Sequence, residues 1–117
     1  MSKQFIEDAI RTESPNFYPQ NERILHAAIG CVTESAEMID AIKKSMFYGK
    51  PLDVTNIKEE AGDLLYYLAI LFDELDTTFE AEMDRVINKL IVRYPDKFCS
   101  DKAYNRDLDK EREVLSV

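Results

Sequence analysis

The chain has few of the residues that interrupt helices, with three Gly and four Pro in 117 residues. It also lacks any alternating run rich in Val, Ile and Thr, so nothing in it announces a sheet. Two cysteines, Cys31 and Cys99, are too few for a disulfide framework. No stretch approaches the length of a membrane span, and no basic segment followed by an apolar one opens the chain. A reducing, cytoplasmic setting is therefore expected. Positive charge is scarce as well: 15 Lys and Arg against 23 Asp and Glu leave a net charge of −8. That balance speaks against polymeric nucleic acid and against anionic membrane as partners, because both are bound through basic surfaces. What remains is rich in Ala, Leu, Ile, Glu and Lys and reads as one all-α domain over residues 1–117.

Phe5, Ile6, Ala9 and Ile10 recur at helical spacing and predict a short amphipathic helix that ends between Arg11 and Ser14. Pro15 and Pro19 bracket an extended connector, after which Asn21 is placed to cap the next helix. From Glu22 to about Phe47, Leu25, Ile29, Val32, Ala36, Ile39 and Met46 form one apolar stripe, the expected core face of a long helix. A second face, with His26, Gly30, Thr33, Glu34, Glu37 and Ala41, is small and polar. Tyr48-Gly49-Lys50-Pro51 ends this helix.

Asp53, Thr55 or Asn56 then caps a helix that runs to about Leu75 on a stripe of Ile57, Ala61, Leu64, Leu68, Leu71 and Leu75. The short loop between the two predicts an antiparallel hairpin, the base of a four-helix-bundle-like domain. Thr77-x-x-Glu80 has the form of a capping box and opens a third long helix, with Phe79, Met83, Val86, Leu90 and Ile91 inward and a stop before Pro95. Residues 21–95 thus form the expected core, and 96–117 a C-terminal tail: a loop, then a short helix or tail anchored by Leu108, Val114 and Leu115.

Two stretches organise this chain chemically. Glu34-Ser-Ala-Glu37 and Glu60-Ala-Gly-Asp63 each place two carboxylates three residues apart, on one face of a helix. Four converging carboxylates do not all stay ionised without a counter-charge. Oxygen-only ligation selects a hard divalent cation such as Mg²⁺, Mn²⁺ or Ca²⁺, and Mg²⁺ commonly shares its coordination with substrate phosphates. Asp63 is the only charged residue between Ala61 and Phe72, and a carboxylate in so apolar a run is costly unless paired, bound or neutral. Gly62 costs that helix about 1 kcal/mol relative to Ala, which suggests a close approach to the backbone there. Arg85, Lys89 and Arg93 form a basic stripe at steps of four. The competing reading of Glu34, Glu37 and Glu60 is a solvated face paired with Lys43, Lys44 or Lys58. For Tyr67, one turn after Asp63, core packing competes with stacking on a base, and His26 is read as packed, outside the metal site.

These residues resemble the MazG-like, all-α nucleoside triphosphate pyrophosphohydrolases. The resemblance runs from His26-Ala-Ala-Ile-Gly through Glu34, Glu37, Phe47-Tyr48-Gly49-Lys50 and Glu59-Glu60-Ala-Gly-Asp63 to Arg93-Tyr94-Pro95 and Asn105-Arg106-Asp107. It implies a helical bundle that forms dimers or tetramers, holds Mg²⁺ (with Mn²⁺ as a substitute) on Glu34, Glu37, Glu60 and Asp63, and splits a nucleoside triphosphate into monophosphate and pyrophosphate. Glu34 or Glu37 is then the general base. Lys89, Arg93, Asn105 and Arg106 match positions that meet the substrate, whereas Gly30 and Asn56 stand where the family can carry basic residues. Two alternatives remain: a non-catalytic helical module that binds nucleotide or protein, and a phosphoribosyl-ATP pyrophosphohydrolase. Apolar surface on more than one face of the helices predicts a homodimer, or a tetramer, built on the helix that runs to about Leu75 and the one opened by Thr77-x-x-Glu80.

Overall fold

Local punctuation decides where the helices begin and end. The computed structural model describes residues 1–14 and 20–116, so the predicted connector between Pro15 and Pro19 lies outside the described residues. The helices are α1 Ser2–Ile10, α2 Gln20–Tyr48, α3 Val54–Glu74, α4 Phe79–Arg93, α5 Ser100–Tyr104 and α6 Leu108–Leu115. No strand occurs among the described residues, and the all-α expectation holds. The helices fall into two compact units, Met1–Thr78 and Phe79–Val117.

In the first unit, α2 already includes Asn21, which is therefore inside the helix and not its cap. It stops where Gly49 takes a φ of 67° and Pro51 follows, a combination that cannot continue a helix. Of the three candidate caps for α3, Asp53 does the work: its Oδ1 accepts from the Asn56 N–H at 3.0 Å. The short connection lays α3 antiparallel on α2. At its far end α3 closes in a Schellman turn, with the Thr77 N–H on the Phe72 carbonyl at 2.9 Å and the Asp76 N–H on the Asp73 carbonyl at 3.2 Å. Asp76 adopts the left-handed conformation that this turn demands, at φ 53°.

The same end of the hairpin is locked by one guanidinium. Arg23 donates through Nε and Nη2 to both oxygens of Glu13 at 2.8 and 2.7 Å, and it pairs with Asp73 at 2.8 Å and Glu74 at 3.0 Å. The segment after α1, the start of α2 and the end of α3 are thereby joined by charge-assisted bonds. Thr12 adds a hydrogen bond to the Tyr66 hydroxyl at 3.1 Å. From α1, Ile6 and Ala9 are buried as the periodicity predicts.

The packed face of α2 is the reverse of the expected one. Ala27 is fully buried and Gly30 and Ala41 are buried, whereas Leu25, Ile29, Val32, Ile39 and Met46 are exposed, Val32 at 68%. Small residues let the two backbones approach closely; a face of branched side chains would hold them apart. The approach is tightest at Gly30, where an added Cβ would overlap Cγ, Cδ1 and Cε1 of the Tyr67 ring. On α3 the fully buried residues are Ala69 and Ile70, while Leu64, Leu68 and Leu71 are half-buried and Ala61 and Leu75 exposed, so the core face is turned away from the predicted stripe.

In the second unit α4 packs on α6. Helix α4 begins at Phe79, which puts Thr78, one residue after the expected Thr77, at the position before it. Phe79 and Leu90 are half-buried, but Met83, Val86 and Ile91 are exposed instead of inward. Of the predicted anchors of the terminal helix, Val114 and Leu115 are half-buried and Leu108 is exposed, while Glu111, 2% exposed, is the buried residue of α6. Arg93 Nε donates to Glu111 at 2.9 Å and Arg106 Nη2 at 2.6 Å. These guanidinium bonds, Arg106 first, hold the Glu111 carboxyl down at about 2. Because its folded value lies below the unfolded one, its contribution to stability is present above the ordinary carboxylate range and is lost as pH falls toward 2. Asp107 caps α6 by accepting from the Lys110 N–H at 3.0 Å.

The two helical glycines should respond oppositely to alanine. At Gly30 the new Cβ meets a ring that cannot yield, so Gly30→Ala should destabilise the fold by about 1–3 kcal/mol despite the gain in helix propensity. Nothing stands near a Cβ at Gly62 among the described residues, and Gly62→Ala should stabilise by about 0.5–1 kcal/mol. Urea denaturation of both variants checks this, and equal effects of the same sign would contradict the packing described.

Candidate metal centre

Helix geometry carries the register set at Gly30 into the next turn. Glu34 follows Gly30 by four residues on α2, and Asp63 precedes Tyr67 by four on α3, so both lie one turn from the Gly30 and Tyr67 contact and in the same direction. Glu60 is a further three residues along α3. Carboxylate oxygens of Glu34, Glu60 and Asp63 lie within 4.8 Å of one another. The arrangement brings together three of the four predicted carboxylates.

Their burial differs from expectation. Asp63, singled out by its apolar neighbours in sequence, is exposed; the buried acid is Glu60, 9% exposed, with Glu34 half-buried. The Glu60 carboxyl is pushed up to about 7, first by a hydrogen bond with Glu34, then by burial, then by the charges of Glu34 and Asp63. Three acids this close keep a proton between them in the absence of a cation. The donor set contains carboxylate oxygens only, which suits a hard divalent ion. Cys31 does not alter that chemistry, because burial pushes its thiol up and disfavours the thiolate that binds soft metals.

Glu37 stands apart from this cluster. One turn further along α2, it lines a pocket of about 440 Å³ with Asp40, Lys44, Lys50, Asp53 and Asn56, between the last third of α2, the connecting loop and the start of α3. Lys44 pairs with Asp40 at 2.8 Å. The two lysines were missed in sequence. Lys44 could have been found from the spacing Glu37, Ala41, Lys44, which is one helical face, but Lys50 sits in the loop and has no periodic signature.

The remaining predicted residues have other partners. Tyr67 lies under Gly30 and meets His26 and Tyr66 edge-on, with ring centroids 5.8 and 5.2 Å away. One ring face is thus given to packing. Burial and then the charge of Glu34 push its phenol up. His26, expected to be packed, is exposed and touches Tyr67 by that edge-on contact. Gly62, expected to admit a close approach, faces open space among the described residues, and the glycine with a steric reason is Gly30. In the second unit, Lys89 is half-buried on α4, Arg93 and Arg106 grip Glu111, and Asn105 Nδ2 donates to Asp101 at 2.8 Å.

Comparison with known proteins adds one finding. The family described as the MazG nucleotide pyrophosphohydrolase domain matches residues 23–98. That span takes in α3, α4, all of the acidic cluster and the adjoining pocket, and nearly all of α2; it leaves α1, Asn105, Arg106 and Glu111 outside. No curated protein and no solved structure matches the chain.

The cluster predicts an unusual pH dependence. Native Glu60 holds its proton more tightly than an unfolded glutamate, whose pKa is about 4.3. Without divalent cations the fold should therefore lose stability as pH rises from about 4.5 to about 7. A cation bound there must displace the proton and should remove the loss. Melting temperatures measured across this window should fall for the wild type relative to Glu60→Gln; parallel curves would contradict the shared proton.

Proposed function

This chain belongs to the MazG nucleotide pyrophosphohydrolase family, and on that premise we propose that it hydrolyses nucleoside or deoxynucleoside triphosphates to monophosphate and pyrophosphate. The observation that carries this reading is the convergence of Glu34, Glu60 and Asp63, which pushes the Glu60 carboxyl up to about 7. Mg²⁺, with Mn²⁺ as a substitute, fits that donor set; bound there it would neutralise phosphate charge and lower the pKa of a coordinated water.

The chain's own residues do the rest. Glu34, Glu60 and Asp63 are the residues that would hold the cation. Glu37 is one turn away and outside the cluster, which favours it over Glu34 as the base that takes the proton from the attacking water. The water oxygen bonds to the α-phosphorus as the bond from that phosphorus to the α,β-bridging oxygen breaks, and the bridging oxygen departs with the pyrophosphate. Of the basic residues that the sequence proposed as substrate contacts, Arg93 and Arg106 grip Glu111 and must release it before they can serve. A non-catalytic module has no need to keep all four carboxylates, Glu34, Glu37, Glu60 and Asp63, which counts against that alternative. Phosphoribosyl-ATP would demand the same chemistry and is separated by assay. The role that suits such an activity is nucleotide-pool housekeeping in the cytoplasm; no described helix is long and apolar enough to cross a membrane.

The family reading extends to self-association. On α2, exposed Leu25, Ile29, Val32, Ala36 and Ile39 alternate in steps of four and three, and after Lys43 the pattern resumes at Met46. That is the spacing of a two-helix seam. A second copy offers the same stripe, so we place a symmetric homodimer interface on α2 instead of on α3 and α4 as the sequence suggested.

Purified protein screened with each nucleotide and with phosphoribosyl-ATP, with and without Mg²⁺, should release pyrophosphate from triphosphates only when the cation is present. Glu60→Gln and Asp63→Asn should lower turnover about 100-fold or more with an unchanged circular dichroism spectrum. Near-normal rates in either variant would remove the metal assignment.

Light scattering should return a multiple of the 13.6 kDa chain, and Ile39→Glu, within the stripe, should reduce that mass or the stability of the fold. A wild-type monomer that turns over substrate would rule out the seam.

A further inference from the structure

The exposed stripe of α2 carries a charge near each end, and the two charges are opposite. Leu25, Val32, Ile39 and Met46 recur every seven residues, and so do Glu22, Ile29, Ala36 and Lys43, offset from them by three. The two series give the alternating spacing of a two-stranded seam over about three and a half heptads, and all eight residues are exposed. Six of them are apolar; Glu22 and Lys43 are not. A charge inside such a seam costs stability and is kept where it fixes how the helices pair. If two copies pair in parallel, Glu22 meets Glu22 at one end and Lys43 meets Lys43 at the other. If they pair antiparallel, Leu25 comes level with Lys43 of the second copy, Ile29 with Ile39 and Val32 with Ala36, and Glu22 lies within a turn of Lys43 at both ends. The apolar overlap is comparable in the two orientations, so the charges decide. The flanks do not contest them, because Asp40 is the one Asp, Glu, Lys or Arg beside the seam and is already paired with Lys44 of its own helix at 2.8 Å.

We propose that the α2 seam is antiparallel and is closed at each end by Glu22 of one copy and Lys43 of the other. The twofold axis then crosses α2 at the level of Glu34, midway between Glu22 and Met46. Because Glu34 lies on the opposite face of the helix, the two acidic clusters sit at one height on the outer sides of the pair, each built from a single chain. This rests on the self-association proposed above, and the test separates the two. Sedimentation equilibrium of wild type, Glu22→Lys, Lys43→Glu and the double variant reads the charges. In the antiparallel seam each single change sets like charges together at both ends and should weaken the dimer about tenfold. The double variant restores opposite charges and should return to within about threefold of wild type; loss of helix-dipole compensation, which both changes also cause, could not produce that rescue. In a parallel seam like charges meet in all four proteins, so four equal dissociation constants would overturn the orientation. Spin labels on Ser45→Cys, with Cys31→Ser and Cys99→Ser, should lie about 33 Å apart along an antiparallel seam. A dimer with labels under about 20 Å apart would overturn the orientation and leave the seam standing, whereas a monomeric wild type would overturn both.

Discussion

The contact between the backbone of α2 at Gly30 and the ring of Tyr67 governs the first unit. It fixes how closely two long helices approach and, because a helix is rigid over several turns, the register of everything else along them. One turn in one direction brings Glu34 against Glu60 and Asp63. Another turn opens the pocket of Glu37, Lys44 and Lys50. In the opposite direction, Arg23 meets Asp73 and Glu74. A larger residue at position 30 would separate the helices, and the carboxylates would lose the mutual proximity that makes them chemically distinctive.

Two buried glutamates in this chain show how surroundings decide what an acid does. Glu60 is pressed among other acids and its carboxyl is pushed up to about 7. Glu111 is clasped by Arg93 and Arg106 and its carboxyl falls to about 2. The first environment has a deficit of positive charge that a metal ion would fill; the second already contains its cations. Glu111 is thus the anchor of α6, and its partners are committed to structure in the state described, although their sequence context resembles that of substrate-binding residues.

Helix α2 divides its two faces unconventionally. The small and polar face, which includes Ala27, Gly30, Glu34 and Ala41, is turned toward α3, while the large apolar residues face outward. Hydrophobic burial alone would have chosen the other face. Packing the small face permits the close approach on which the cluster depends, and it leaves the apolar stripe exposed.

The sequence by itself determined the all-α class, the extents of α1 to α4 within a few residues, and the two acidic pairs, because caps, glycine and proline punctuation and i, i+3 spacing are local properties of the chain. Gly49-Lys50-Pro51 as the end of α2 needed no tertiary information, while Asp53 was one of three caps that the sequence offered for α3. Tertiary structure alone decided which face of α2 is packed, that Glu60 and not Asp63 is the buried acid, that Glu37 parts from the other three carboxylates, and that Arg93 and Arg106 converge on Glu111. Each of these depends on the distance between segments remote in sequence, and that distance is set by the shapes of the side chains between them, which periodicity does not record.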